Sequence, residues 1–207
     1  MRNRIIFATT NEGKLKEIRL ILKDLDYDII SMKDAGICID IVEDGSTFEE
    51  NAIIKARTIM ELTGEMVLAD DSGLEVDAMD KAPGIYSARF LGESTSYDIK
   101  NNYILDQLKG LPLEERSARF VCVIACAFPD GEIVTKRATI EGFIGNEIAG
   151  DGGFGYDPIF WVPEYRCTSA ELSTDIKNKI SHRGKALEAM KDVIRAYEKS
   201  GEKISHL

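Results

Sequence analysis

The amino-acid sequence predicts an α/β fold. Short apolar runs of strand character alternate along it with segments whose apolar residues recur at helical spacing. Helix-start and helix-stop residues fall where one kind of segment gives way to the other. Hydrophobic residues make up 44% of the 207 positions, ample for a packed core. That length fits one large domain or two interlocked lobes.

The elements follow in order. Arg4–Thr9 reads as a first strand. Asn11 is a good N-cap, and Leu15, Ile18, Leu22 and Leu25 mark one face of the next helix. Asp28–Met32 is a second strand. Thr47 and Glu50 have the spacing of a capping box. Phe48, Ala52, Ala56, Ile59 and Met60 then trace a buried helical face ending near Gly64. Met66–Ala69 is a short, wholly apolar strand that belongs centrally in a sheet. Leu74–Met79 reads as another short strand, and Ser94–Lys109 contains a polar-rich helix. Ala118–Phe128, apolar on both faces, is an internal strand. Pro129-Asp130-Gly131-Glu132 is a turn, so Ile133–Glu141 pairs back as a hairpin with one wetter face. From Ser181 a long terminal helix turns Leu187, Met190, Ile194 and Tyr197 inward. No repeat, linker or low-complexity segment interrupts the chain, so residues 1–207 read as one domain of two lobes.

The net charge of −10 disfavours nucleic acid as a partner, which requires a broad basic face. A compact basic pocket for a small polyanion remains open. The N-terminal run Met1-Arg2-Asn3-Arg4-Ile5-Ile6-Phe7 is basic but lacks the apolar length of a signal peptide, and no run is long enough to cross a bilayer. Cys38, Cys122, Cys126 and Cys167 form no Cys-x-x-Cys pair, and only two His are present, which disfavours structural zinc. The expectation is a cytoplasmic protein with reduced thiols.

Five segments carry candidate chemistry. Phe154-Gly155-Tyr156-Asp157-Pro158, after Gly150-Asp151-Gly152-Gly153, sets one ring among glycines with a carboxylate three residues on. Glycines permit close backbone approach and positive φ, and the ring offers a stacking surface for a heterocyclic base. An aromatic-anchored surface turn is the alternative. Thr9-Thr10-Asn11-Glu12-Gly13-Lys14 falls where a strand hands over to a helix, whose free N–H groups and dipole attract anions. It outlines a phosphate cradle without being a P-loop; taken alone it reads more readily as an ordinary capped helix with a surface lysine.

Asp70-Asp71-Ser72-Gly73 closes an apolar strand with two adjacent acids. Their side chains point to opposite faces, so only one is expected to face a given site. Acids at strand ends suit a divalent cation, and Glu43 is a second candidate ligand, although taken alone it reads as a solvated loop acid. An Asx-type turn is the other reading. Lys55 shares a helix face with Asn51 and faces either solvent or phosphate. Finally, Lys177-Asn178-Lys179-Ile180-Ser181-His182-Arg183-Gly184-Lys185 gathers cations where the terminal helix begins, against its dipole unless an anion sits among them.

With these segments in order, the sequence resembles the inosine/xanthosine triphosphate pyrophosphatases, house-cleaning enzymes that hydrolyse non-standard purine nucleoside triphosphates. The match also includes Thr47-Phe48-Glu49-Glu50-Asn51-Ala52 and Pro83-Gly84-Ile85-Tyr86-Ser87-Ala88-Arg89-Phe90, and covers nearly the whole length. The resemblance implies an elongated mixed sheet flanked by helices, two lobes with a central nucleotide cleft, a homodimer and a Mg²⁺ requirement. It implies Asp71 as general base and metal ligand, with Glu43 as the other acidic metal position. It implies substrate contacts at Thr9, Thr10, Asn11, Glu12, Gly13, Lys14, Lys55, Ser72, Phe154, Gly155, Tyr156, Asp157, Lys177, His182 and Arg183. A phosphotransferase or monophosphatase with the same cradle competes with this reading. So does a nucleotide-binding regulatory module without turnover, although such a module need not place acids beside phosphates.

Overall fold

The computed structural model describes residues 3–205, with side chains described through residue 199. Met1 and Arg2 of the basic N-terminal run lie outside the described residues. Among those described are seven strands in one mixed sheet and five α-helices.

In chain order the elements are β1 (Asn3–Phe7), α1 (Glu12–Ile21), β2 (Tyr27–Ser31), α2 (Phe48–Thr63), β3 (Val67–Val76), α3 (Tyr97–Gln107), β4 (Ser117–Ala127), β5 (Ile133–Ile144), β6 (Phe160–Val162), β7 (Cys167–Thr168), α4 (Thr174–Ile180) and α5 (His182–Ser205). The sheet order is β2-β1-β3-β4-β5-β6-β7. β1 runs parallel to β2 and β3, whereas β6 is antiparallel to β5 and β7. The chain divides into two compact units. The first holds residues 1–71, 123–138 and 183–207; the second holds 72–122 and 139–182.

In the first unit, Ile5, Ile6 and Phe7 are fully buried, as expected of a strand flanked on both sides. Ile6 and Phe7 register against Val67 and Leu68. α1 starts at Asn11, whose side chain accepts the Lys14 N–H at 3.1 Å, and it buries Leu15 and Ile18. α2 starts at Thr47, whose hydroxyl accepts the Glu50 N–H at 3.1 Å, and stops at Gly64 with φ +68°. The Glu50 carboxylate takes the Ser46 N–H and hydroxyl, at 2.6 and 2.7 Å. Ala186, Leu187, Met190 and Ile194 of α5 are fully buried, and Tyr197 stacks on Phe128 with centroids 4.1 Å apart.

In the second unit, Leu74, Ile104, Phe120, Ile144, Tyr156, Ile159 and Phe160 form the core. Ser87, within the Pro83–Phe90 segment, ties this core together: its hydroxyl accepts the Leu74 N–H at 2.9 Å and its carbonyl accepts the Tyr156 hydroxyl at 2.8 Å.

Two expectations are corrected here. The short strands at Met66–Ala69 and Leu74–Met79 are one ten-residue strand, so Asp70 and Asp71 sit in mid-strand rather than at its end. Residues 174–180 form a separate helix, α4, so Lys177 and Lys179 lie in its last turn. Cations are favoured there by the helix dipole, which removes that part of the expected misfit.

Candidate active site

The site is assembled on the parallel pairing of β1 with β3. The Ala8 N–H donates to the Leu68 carbonyl at 2.8 Å, which carries the Thr9–Lys14 loop alongside β3. Within that loop the Thr9 hydroxyl accepts the Asn11 N–H at 3.1 Å, while Thr10, Asn11 and Glu12 are exposed. Gly13 and Lys14 are half-buried in the first turn of α1.

Strand alternation gives the two aspartates different partners. Asp70, only 1% exposed, is paired with the Lys14 ammonium at 2.9 Å and the Arg183 guanidinium at 3.2 Å. Arg183 also holds Glu17 at 2.6 Å. Asp71 meets the Lys55 ammonium at 3.2 Å and the Asn51 side-chain amide at 3.4 Å. Lys55 is shared, since its ammonium also lies 2.7 Å from Glu43. Asn51 locks the loop that carries Glu43, because its side-chain oxygen accepts the Gly45 N–H at 2.9 Å. A Cβ at Gly45 would stand 2.7 Å from that oxygen, so only glycine fits. Asn51 and Lys55 are both buried on α2, so Lys55 faces carboxylates rather than open solvent.

The electrostatics separate the two acids. Burial raises the Asp70 carboxyl's pKa, but Lys14, Arg183 and Lys55 outweigh it and hold the group far below the usual carboxylate range. Burial also raises that of Asp71, and here it prevails over Lys55 and Lys14, with Glu43 adding to the upward push. Burial opposes the charge on Lys55, yet Asp71, Asp70 and Glu43 together keep it protonated. Asp71 is therefore a buried carboxyl whose negative charge is incompletely neutralised.

The second unit carries the ring-and-glycine ribbon. Phe154 is half-buried, and the Lys177 ammonium lies 5.0 Å from its ring centroid. Asp157 is buried and accepts from the Phe154 N–H, the Lys177 ammonium and the Ser169 hydroxyl, each at 2.8 Å. The Gly155 carbonyl accepts from the Asn101 side chain at 3.1 Å. Tyr156 points into the core, its ring edge-on to Tyr97 at 5.2 Å, so it offers only its backbone outward. His182 is stacked on Phe120, centroids 4.9 Å apart. Ser72 is half-buried on β3.

The structure thus unites Lys14, Glu43, Lys55, Asp71 and Arg183 in the first unit, and Phe154, Asp157 and Lys177 in the second. Sequence reasoning named Asp70 and Asn51 without giving either a partner, and passed over Glu17 and Ser169. Asn51 had a signal in its spacing from Lys55, one turn away on α2. Glu17 stands three residues after Lys14 on α1. Ser169 has none, since its partners are distant in sequence.

A mixed seven-stranded sheet whose parallel half holds a buried lysine–carboxylate cluster defines an α/β protein built around a charged centre. The sequence profile described as the Ham1 family matches residues 5–193, and the chain belongs to that family. It is 50% identical over 191 residues to the dITP/XTP pyrophosphatase of Desulforamulus reducens, covering 92% of this chain and 95% of the relative. It is 48% identical over 198 residues to the dITP/XTP pyrophosphatase of Clostridium perfringens, covering 93% and 97% of the two chains. Among solved structures it is similar to the Staphylococcus aureus Ham1 protein, with a TM-score of 0.85, 39% identity and coverage of 94% of this chain and 100% of that one.

Proposed function

We propose that the chain is a house-cleaning hydrolase that converts dITP, ITP and XTP to the monophosphate and pyrophosphate. The names of its close relatives support this. The observation that carries it is the buried Asp71, sharing Lys55 with Glu43 beside an Asp70 paired with Lys14 and Arg183.

In the reaction a water oxygen bonds to the α-phosphorus, and the bond from that phosphorus to the α–β bridging oxygen breaks. Asp71 takes the water's proton. A carboxyl with raised proton affinity is a stronger base than an ordinary one, which suits the role. Lys14 and Lys55 stabilise the charge that builds on the departing pyrophosphate. The Thr9–Lys14 loop, with the N-terminal N–H groups of α1, cradles the phosphates. Ser72 serves as a further contact.

Phe154 stacks on the purine, flanked by the backbone of Gly155 and Tyr156. His182, Arg183 and the N–H groups near Tyr156 favour an oxo group at the 6-position. A 6-amino base would set donor against donor in a dry site, which discriminates by orders of magnitude.

Asp71 and Glu43 fit Mg²⁺. Both offer hard oxygen, both converge on one cationic atom, and Asp71 retains uncompensated charge. Among the described residues no group of three or more His, Cys, Asp or Glu is gathered for a metal. Mg²⁺ commonly takes one or two carboxylates and completes its shell with water and substrate phosphates. When bound, Mg²⁺ neutralises phosphate charge and activates water.

No described helix is long and apolar enough to cross a membrane. The enzyme acts in the cytoplasm as a homodimer. Sedimentation velocity checks the homodimer.

The deciding assay mixes the protein with ITP and Mg²⁺ and identifies the product. One pyrophosphate per ITP is expected, with ATP turned over far more slowly. Orthophosphate would make the chain a phosphatase; tight ITP binding without release would make it a sensing module.

A further inference from the structure

We infer that Asp157 and Ser169 are positioning residues that set the base-binding end through Phe154 and Lys177, and that Asp157 does not itself read the base. This rests on the pyrophosphatase reading above. A carboxylate that reads a base must keep an oxygen turned toward it. Asp157 turns both inward. Oδ2 accepts the Phe154 N–H and the Lys177 ammonium, and Oδ1 accepts the Ser169 hydroxyl. The side chain is 6% exposed. Two of its three donors are on elements remote in sequence, so the carboxylate ties the ribbon to α4 and to the turn after β7.

The glycines bear this out. A Cβ at Gly153, where φ is +72°, would stand 2.3 Å from Asp157 Oδ2 and 3.0 Å from the Lys177 ammonium. A Cβ at Gly152 would stand 2.5 Å from the Ala170 carbonyl, which already accepts the Gly152 N–H at 3.0 Å. The missing side chains make room for the protein's own clasp. The Ser169–Glu171 turn is the bed on which the ribbon lies, fixed by Thr168, whose hydroxyl donates to the Ala149 carbonyl at 2.8 Å.

Lys177 follows from the same geometry. Its ammonium is held by Asp157 and by the face of the Phe154 ring. A cation anchored against the ring that stacks on the base acts at the base end of the substrate, not on the leaving pyrophosphate. Asp157 acts through it, and Ser169 acts through Asp157.

The test is a double-mutant cycle on ITP hydrolysis with Asp157→Asn and Lys177→Met. Asp157→Asn keeps shape but sets one amide donor against the clasp's donors. Each single change should raise KM about tenfold to a hundredfold while kcat stays within about threefold. The double variant should fall short of the product of the two single effects, the remaining effect coming from the Phe154 N–H that Asp157 also holds. KM effects that multiply would mean Asp157 meets the substrate independently and would overturn the inference. Ser169→Ala should raise KM in the same sense, with Ser169→Thr, which keeps the hydroxyl, restoring it.

A second readout needs no turnover. In free protein Ser169→Ala should speed hydrogen exchange of the Phe154 amide about tenfold while the amides of β4 keep their protection. Unchanged exchange at Phe154 would overturn the clasp. If the wild-type protein released no pyrophosphate from ITP, the functional reading would fall and the exchange result alone would decide the clasp.

Discussion

Replacing Asp70 and Asp71 one at a time by asparagine should change stability in opposite directions, although the two residues are neighbours on one strand. Asp70 is the shared counter-charge of Lys14 and Arg183. Asp70→Asn leaves both cations in a buried setting without it. Breaking a buried pair costs about 3–5 kcal/mol, which for a chain of this size lowers Tm by roughly 6–20 °C. Asp71 is the reverse case. Burial already penalises its charge in the folded state, and a neutral amide removes that penalty, so Asp71→Asn should leave Tm unchanged or raise it by a few degrees.

The same opposition appears in pH dependence. The Asp70 carboxyl has a depressed folded-state pKa. Its contribution is therefore complete above the unfolded value of about 3.9 and is lost as pH falls further, where wild type and Asp70→Asn should converge. The raised Asp71 carboxyl carries its penalty at neutral pH and sheds it as pH falls. Activity separates the roles again: Asp71→Asn should lower kcat/KM by about 10²–10⁴-fold despite its intact fold. Thermal unfolding by circular dichroism and pyrophosphate release measure both. An Asp71→Asn protein as destabilised as Asp70→Asn, or one of near-normal activity, would refute the reasoning.

Phe154→Ala removes the stacking surface, which is worth about 1–3 kcal/mol per base, and should raise KM about fivefold to a hundredfold with kcat little changed; steady-state kinetics with ITP would show it. Gly64→Ala places a Cβ in open space at φ +68°, so only backbone strain of about 1–2 kcal/mol acts, and Tm should fall by roughly 2–8 °C. Among the thiols, Cys38 is exposed whereas Cys122 and Cys126 are buried, and burial pushes the Cys126 thiol upward. A thiol reagent should modify Cys38 at once in native protein and reach Cys122 and Cys126 only on unfolding, as mass spectrometry of the adducts would show.

Much of the fold was legible because its signals are local. Ile5-Ile6-Phe7 and Ala118–Phe128 are apolar on both faces, and Asn11, Thr47 and Gly64 are caps whose chemistry acts within one helical turn. The short elements gave no such signal. β6 and β7 span three and two residues and α4 spans seven, too few for a period to show. Asp70-Asp71-Ser72-Gly73 read as a strand end because two acids and a glycine are the ordinary composition of a turn.

What keeps β3 running through that segment comes from elsewhere. The partner of Asp71 is 16 residues away, and the Arg183 partner of Asp70 is 113 residues away. The packing of α2 brings Lys55 and the return of α5 brings Arg183 to the strand, so no local window of sequence contains the reason it continues. The same logic divides the candidate site. The motifs stand in order along the chain, but a motif names residues without naming what neutralises them. Neutralisation decides whether a buried acid has charge to spare, and it marks Asp71 as the acid with charge to spare and Asp70 as its support. At the ribbon it engages both oxygens of Asp157 within the protein, one of them with a serine that no motif contains.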